Sequence, residues 1–360
     1  MLESTTWPPP IEDETFMSWV FRCALNPQCR PLSESKGERY YQMCGITGDA
    51  DFDFKSSAFF ELESSLNWPI GIGPSHFNPD TSLLLSPQQR FAFCLHCLRS
   101  DVTMHGYPVW RKSWCYVCAP FCCRHEQLLI LNDRYLGFDK PWQAFALHHQ
   151  VSRLHPEADL NSWRGMSNLK LLARLGSRAQ LWVNTLKSCD TYKFPGCDEV
   201  VETESLIRTV HNLMRIFLAA KSTFRPSGPA RFCFSNSRQD IVHGEIDYST
   251  AMEVGAVSAS PYQRMIALIW VGWVFELFQR EEIGCLAQAA KVSGYQWYRN
   301  IEELGYYCPP CATKSEYDNM GKLFSLLPRH IYLRIEPLLK GIQHSAYVHG
   351  VIPRPPNIPG

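Results

Sequence analysis

The 360-residue chain has no net formal charge, with 35 Lys and Arg against 35 Asp and Glu, so no overall basic field announces a nucleic-acid partner. Charged residues are scarce at 19%. Long apolar runs are also missing. The longest, MIALIWVGWVFELF from Met265 to Phe278, contains Glu276 and is too short for a bilayer, so it reads as a buried core helix. The opening MLESTTWPPPIEDETF has neither a basic n-region nor an apolar h-region, so export is not expected. There is no Gly-rich phosphate loop ending in Lys-Ser/Thr, no G-x-S-x-G, no H-E-x-x-H, no internal repeat and no low-complexity tract. No enzyme is expected.

What is present is uneven. Residues 1–90 hold 6 Lys and Arg against 12 Asp and Glu, whereas residues 91–188 hold 12 against 6. The acidic start suits protein docking, and the basic segment suits an anionic partner. Aromatics at 13% suggest a chain that covers apolar surface with partners as well as with itself. Length allows several domains. We expect a mainly α-helical fold, with an N-terminal helical, HTH-like module and loop-rich linker at 1–90. A metal-binding module follows at 91–140, then helical domains at 141–250 and 251–352 and a disordered tail at 353–360.

Local signals place individual helices. Asp13-Glu14 opens a helix carrying Phe16, Trp19, Val20 and Cys23 on one face and stopping near Asn26-Pro27. Further helices are expected at 34–44, 57–66, 161–187 and 200–221, the one at 161–187 presenting Arg174 and Arg178 one turn apart on a polar face. Ser260-Pro261 reads as cap and first residue of an apolar helix over 262–280.

Six of the fifteen cysteines fall between Phe93 and Leu131, in FCLHCLRSDVTMHGYPVWRKSWCYVCAPFCCRHEQLLIL. Without an export signal, clustered cysteines point to metal ligation or buried thiols before disulfides. Cys94-Leu-His-Cys97 has the spacing of a zinc knuckle, whose short turn places two sulfurs on one side of an ion. Two second halves compete. Cys115 and Cys118 give C-x2-C-x17-C-x2-C, within the usual range, and Cys122 with His125 gives C-x2-C-x24-C-x2-H.

This segment resembles the zinc-binding core of the TniQ/TnsD family of transposon target-selection proteins. The resemblance rests on CLHCL at 94–98, VWRKSW at 109–114, CCRH at 122–125 and QLLIL at 127–131. A second stretch, PPPIEDETFMSWVFRCA at 8–24, is similar to the family's opening, a proline turn and acidic pair followed by S-W-x-x-R. The two stretches cover about a sixth of the chain. The resemblance implies the ligands Cys94, Cys97, Cys122 and His125 around one structural Zn2+, with Cys115, Cys118 and Cys123 as packed thiols. Many members carry a second cysteine set just afterwards. Here NDRYLGFDKPWQAF has none, and aromatic packing around Tyr135, Phe138 and Trp142 is expected instead.

By resemblance, the function is that of a TniQ-type adaptor in a bacterial cytoplasm. Such a protein links a targeting device, a CRISPR Cascade complex with its guide RNA, to the AAA+ ATPase transposition regulator of TnsC/TniB type. It reaches target DNA indirectly and forms a homodimer. The alternative is a DNA-binding protein that recognises an attachment site directly. Residues 282–304 have helix-turn-helix spacing, with Lys291 at the turn and Gln296, Arg299 and Asn300 facing outward from a second helix, and the 164–187 helix is basic. Cys308-Pro-Pro-Cys311 lacks a nearby partner pair and reads as a turn with two thiols. Together with His243-Gly-Glu245 it has the order of a cytidine-deaminase site, but Tyr307 replaces the required proline and no strand-helix alternation joins the motifs.

Overall fold

The computed structural model describes residues 7–29, 33–45, 48–65, 74–80, 83–132, 137–154, 169–223, 225–233, 241–242, 244–295 and 297–353. The fold is mainly α-helical, and the chain parts into two compact units, Met1–Ser162 and Trp163–Gly360. Residues 1–90 and 91–140 fall together in the first unit. The expected tail beyond Pro353, Gln296 and Tyr135 lie outside the described residues.

In the first unit, α1 (Phe16–Leu25) is capped by Thr15, whose Oγ1 accepts from Ser18 N at 3.4 Å, and it ends at Asn26. The acidic pair does not start this helix. Asp13 adopts φ 65°, while Glu14 pairs with Arg22, so tertiary partners take up both carboxylates. Every residue from Phe16 to Cys23 is buried, which explains the helix's nearly continuous apolar sequence. It packs with α2 (Glu34–Cys44), and α3 (Ser57–Ser65) packs on α2. Phe16 is the hub of an aromatic core, meeting Tyr40, Phe54, Phe59 and Phe77 edge-on at 5.3–5.9 Å. Phe138 joins this core, edge-on to Phe21 at 5.3 Å, and sits where Gly37 leaves room for it: a Cβ there would lie 2.3 Å from the Phe138 ring. Trp142 packs against the same cluster, so the expected aromatic packing is present at Phe138 and Trp142.

The cysteine-rich segment contributes β1 (Ala92–Phe93), α4 (Leu95–His105) and β2 (Ile130–Leu131). Phe93 pairs with Ile130 and Ala92 with Leu131, so a short antiparallel ladder closes the base of the loop between them. Helix α5 (Lys140–Leu154) follows.

The second unit holds α6 (Leu169–Lys187), the hairpin of β3 (Thr191–Lys193) and β4 (Val200–Glu202), and α7 (Thr203–Leu218). Next come β5 (Lys221–Ser222), α8 (Pro229–Phe232), β6 (Ile241–Val242) and α9 (Tyr248–Val257), then α10 (Pro261–Val274). Ser260 caps α10 with a reciprocal bond to Gln263, and all but one of its residues are buried, as expected of the apolar run. It stops at 274 instead of 280 because the chain closes a Schellman turn: Leu277 N bonds Gly272 O at 2.8 Å, and Glu276 takes φ 57°. Among the described residues no helix is long and apolar enough to cross a membrane.

Helices α11 (Arg280–Val292), α12 (Ile301–Tyr306), α13 (Lys314–Lys322) and α14 (Arg329–Val348) complete the unit. Helices α12 and α14 meet with their backbones in contact. A Cβ on Gly341 would lie 1.9 Å from Glu302 O, and one on Gly305 would lie 2.2 Å from Leu338 O.

Candidate metal centre

Cys94 is the cap residue of α4 and Cys97 lies in its first turn, where the positive helix end favours thiolate charge. Cys122 and His125 occupy a tight turn between paired segments. Phe121 bridges Leu128, Cys122 N donates to Gln127 O at 2.9 Å, and Glu126 N donates to Cys122 O at 2.8 Å with Glu126 at φ 51°. The four side chains converge. Cys94 Sγ and Cys97 Sγ lie 3.5 and 3.3 Å from His125 Nδ1, Cys122 Sγ lies 3.6 Å from it, and Cys97 and Cys122 sulfurs are 3.5 Å apart. The donor atoms all fall within 4.8 Å of one another, and this is the one such group among the described residues. A tetrahedral ion with bonds of about 2.0–2.3 Å requires donor separations of about 3.5–3.8 Å. The donor set therefore fits a metal ion.

The electrostatics agree. The hydrogen bonds to Cys122 and Cys94 push the Cys97 thiol far up, and Cys94 is pushed up to about 11, mainly by Cys122. Cys122 is pulled down, first by the hydrogen bond from Cys94. Three thiols this close cannot all ionise against each other, whereas a cation among them permits it.

Cys115 and Cys118 stay apart from this group because their segment is committed elsewhere. Leu85 N donates to Cys115 O and Val117 N to Leu83 O, both at 2.8 Å, so residues 115–117 form a ribbon with 83–85. The Cys115 thiol donates to Arg111 O at 3.6 Å, and burial pushes it up to about 12. Cys308 and Cys311 are buried thiols. Cys308 donates to Leu304 O at 3.4 Å, and burial pushes Cys311 up to about 12. His243 lies outside the described residues.

The two stretches that carry the family resemblance are bonded to each other around this centre. Thr15 N donates to Trp110 O at 2.9 Å, Trp110 N to Ser18 Oγ at 3.0 Å, and Lys112 N to Asp13 O at 2.6 Å. The Asp13 carboxylate accepts from Ser113 N at 3.1 Å and Ser113 Oγ at 2.5 Å. Arg111, fully buried, pairs with Asp101 of α4 and donates to Glu12 O at 2.7 Å. Burial pushes the Asp101 carboxyl up, and Arg111 opposes that. Trp110 stands edge-on to Trp114 at 5.4 Å, with Lys140 Nζ 5.1 Å from its ring centre. Arg111 thus ties the helix that bears two ligands to the N-terminal leader.

The proposed DNA-reading residues do not share a recognition helix. Residues 293–295 and 297–300 are not helical; the chain turns at Gly294, φ 74°, and α12 begins only at Ile301. Lys291 and Arg299 are exposed, on the last turn of α11 and in the connection. The Asn300 side chain caps α12, accepting from Glu303 N at 2.8 Å. Trp297, within that connection, stacks with Trp273 at 5.6 Å. On α6, Arg174 and Arg178 both pair with Glu282, at 3.3 and 2.6 Å, and Arg178 also donates to Leu277 O at 2.6 Å. Those arginines fasten α6 to the start of α11. The acidic partner on another helix is the signal that helical spacing could not show.

No family model matches the chain, and neither a characterised protein nor a solved structure shows significant similarity to it.

Proposed function

We propose that the chain is a TniQ-type target-selection adaptor whose Cys94, Cys97, Cys122 and His125 hold one structural Zn2+. Three soft thiolates and one imidazole in a closed tetrahedral set favour zinc over the oxygen-preferring cations. Four protein ligands leave no position for water or substrate, so the ion serves shape and not catalysis. When bound it joins the α4 terminus to the 122–126 turn. Arg111, Asp101 and Asp13 pass that constraint to the leader and α1.

The observation that carries the reading is the joining of the two resemblance-bearing stretches, 8–24 and 109–114, in one hydrogen-bonded unit around the ligand set that the resemblance implies. In this reading the chain docks, as a homodimer, to a Cascade complex with its guide RNA and to an AAA+ transposition regulator. It meets target DNA only indirectly. The alternative of direct attachment-site recognition is weaker, because Arg174 and Arg178 are engaged by Glu282 and Asn300 by its cap.

Co-expression with the genes adjacent to its own, followed by pull-down at moderate and high salt, tests the proposal. Salt-resistant recovery of the ATPase and CRISPR subunits is expected. Steeply salt-dependent binding to one preferred duplex, without those subunits, would replace the adaptor by the DNA reader.

A further inference from the structure

A second set of reactive side chains lies in the other unit, distant in sequence from the metal ligands. The β3–β4 hairpin turns through Gly196, φ 75°, and presents Cys197 and Glu199 on its loop. His330 stands in the first turn of α14. Cys197 Sγ lies 3.3 Å from His330 Nδ1, and Glu199 Oε2 lies 2.5 Å from His330 Nε2. The thiol and the carboxylate address opposite nitrogens of one ring, so the three cannot chelate one ion. They form instead a nucleophile, a base and a group that orients the base. The Glu199 charge beside Nε2 favours the hydrogen on that nitrogen, which leaves Nδ1 bare towards the thiol. Cys197 and His330 are half-buried and Glu199 is exposed, leaving the sulfur open to a small reagent.

We infer that Cys197 is a nucleophilic thiol that exchanges with the disulfide of a small thiol compound, with His330 as its base and Glu199 as the positioning residue. The Cys197 sulfur attacks one sulfur of the disulfide, and its proton passes to His330 Nδ1. A new S–S bond forms as the old one breaks, and the departing thiolate takes a proton from the imidazolium and leaves as a thiol. Cys197 is oxidised and half of the disulfide is reduced, so no further oxidant is needed. The exposed Cys285 has no histidine bonded to it and serves as a reference in the same molecule.

The test is timed exposure of the full-length protein to glutathione disulfide, with each mixed disulfide quantified by peptide mass spectrometry. Cys197 is expected to react about tenfold or more faster than Cys285, despite being less exposed. His330→Asn should bring the ratio to one or below. Glu199→Gln should lower it severalfold and Glu199→Asp should restore part of it, with the Cys285 rate constant throughout. A Cys197 rate at or below that of Cys285 in the unaltered chain overturns the inference, as does a ratio unmoved by His330→Asn.

Discussion

Glu14 and Arg22 meet in an ion pair of 2.7 Å, their side chains only 0% and 7% exposed, across the start of α1. Glu14 also accepts from Ile11 N and Ser18 Oγ, and Arg22 reaches Pro9 O at 2.9 Å. The proline turn, the acidic residue and the S-W-x-x-R pattern are therefore one assembly. Trp19 adds to it through Nε1, which donates to Pro8 O at 2.8 Å.

Breaking that pair strands a buried charge. Glu14→Ala or Arg22→Ala should cost about 3–5 kcal/mol, measured by chemical denaturation. Arg22→Lys should recover little, because Nε and Nη2 grip the two carboxylate oxygens at 2.8 and 2.7 Å and an ammonium cannot do both. A loss below about 1 kcal/mol would contradict this account.

Metal content separates the two candidate ligand sets. Cys122→Ser and His125→Ala should abolish or sharply reduce bound zinc by elemental analysis, whereas Cys118→Ser should leave one ion per chain. X-ray absorption should report three sulfurs and one nitrogen. Chelation should lower the unfolding temperature, since structural zinc contributes folding free energy directly.

Two glycines should respond in opposite senses. Gly341→Ala places a methyl against the Glu302 carbonyl, backbone that cannot swing aside, and should cost about 2–3 kcal/mol. Gly284→Ala, inside α11 with nothing nearby, should stabilise by about 0.5–1 kcal/mol. Thermal melts of the two variants give the comparison.

Asp51 links one ion pair to pH. Its Oδ1 accepts from Met17 N at 3.1 Å and its Oδ2 from Lys140 Nζ at 3.0 Å. Burial alone would raise its carboxyl, but Lys140 and Arg90 outweigh burial and hold it below the usual carboxylate value of 3.8. A depressed folded pKa contributes stability above the unfolded value and loses it as pH falls through the folded one. The wild-type advantage over Asp51→Asn should therefore be full at pH 5–7 and shrink steadily below about pH 4. Asp13 and Asp101, both raised mainly by burial, act in the opposite direction in both proteins, so their contributions cancel in the difference. An advantage that grew on acidification would refute the assignment.

Helix positions were legible where local chemistry decides them. The Ser260-Pro261 start of α10 and the run at 34–44 follow from capping and periodicity. The 282–304 reading failed at its second half: the chain turns at Gly294, Trp297 stacks on Trp273, and Asn300 caps a helix that starts only at Ile301. Cys197, His330 and Glu199 gave no sequence signal, being 133 residues apart at their widest.

By itself the sequence determined a helical chain with a knuckle at Cys94-Cys97 and a buried apolar helix near 265, because periodicity, caps and short turns act over a few residues. Which second pair completes the knuckle was decided by the ladder at Ala92–Phe93 and Ile130–Leu131 and by the ribbon that occupies Cys115. The partners of Arg111, Arg174 and Arg178 were likewise settled only in three dimensions. A charge is paired by whatever carboxylate packing brings within a few ångströms, and no local spacing encodes that distance.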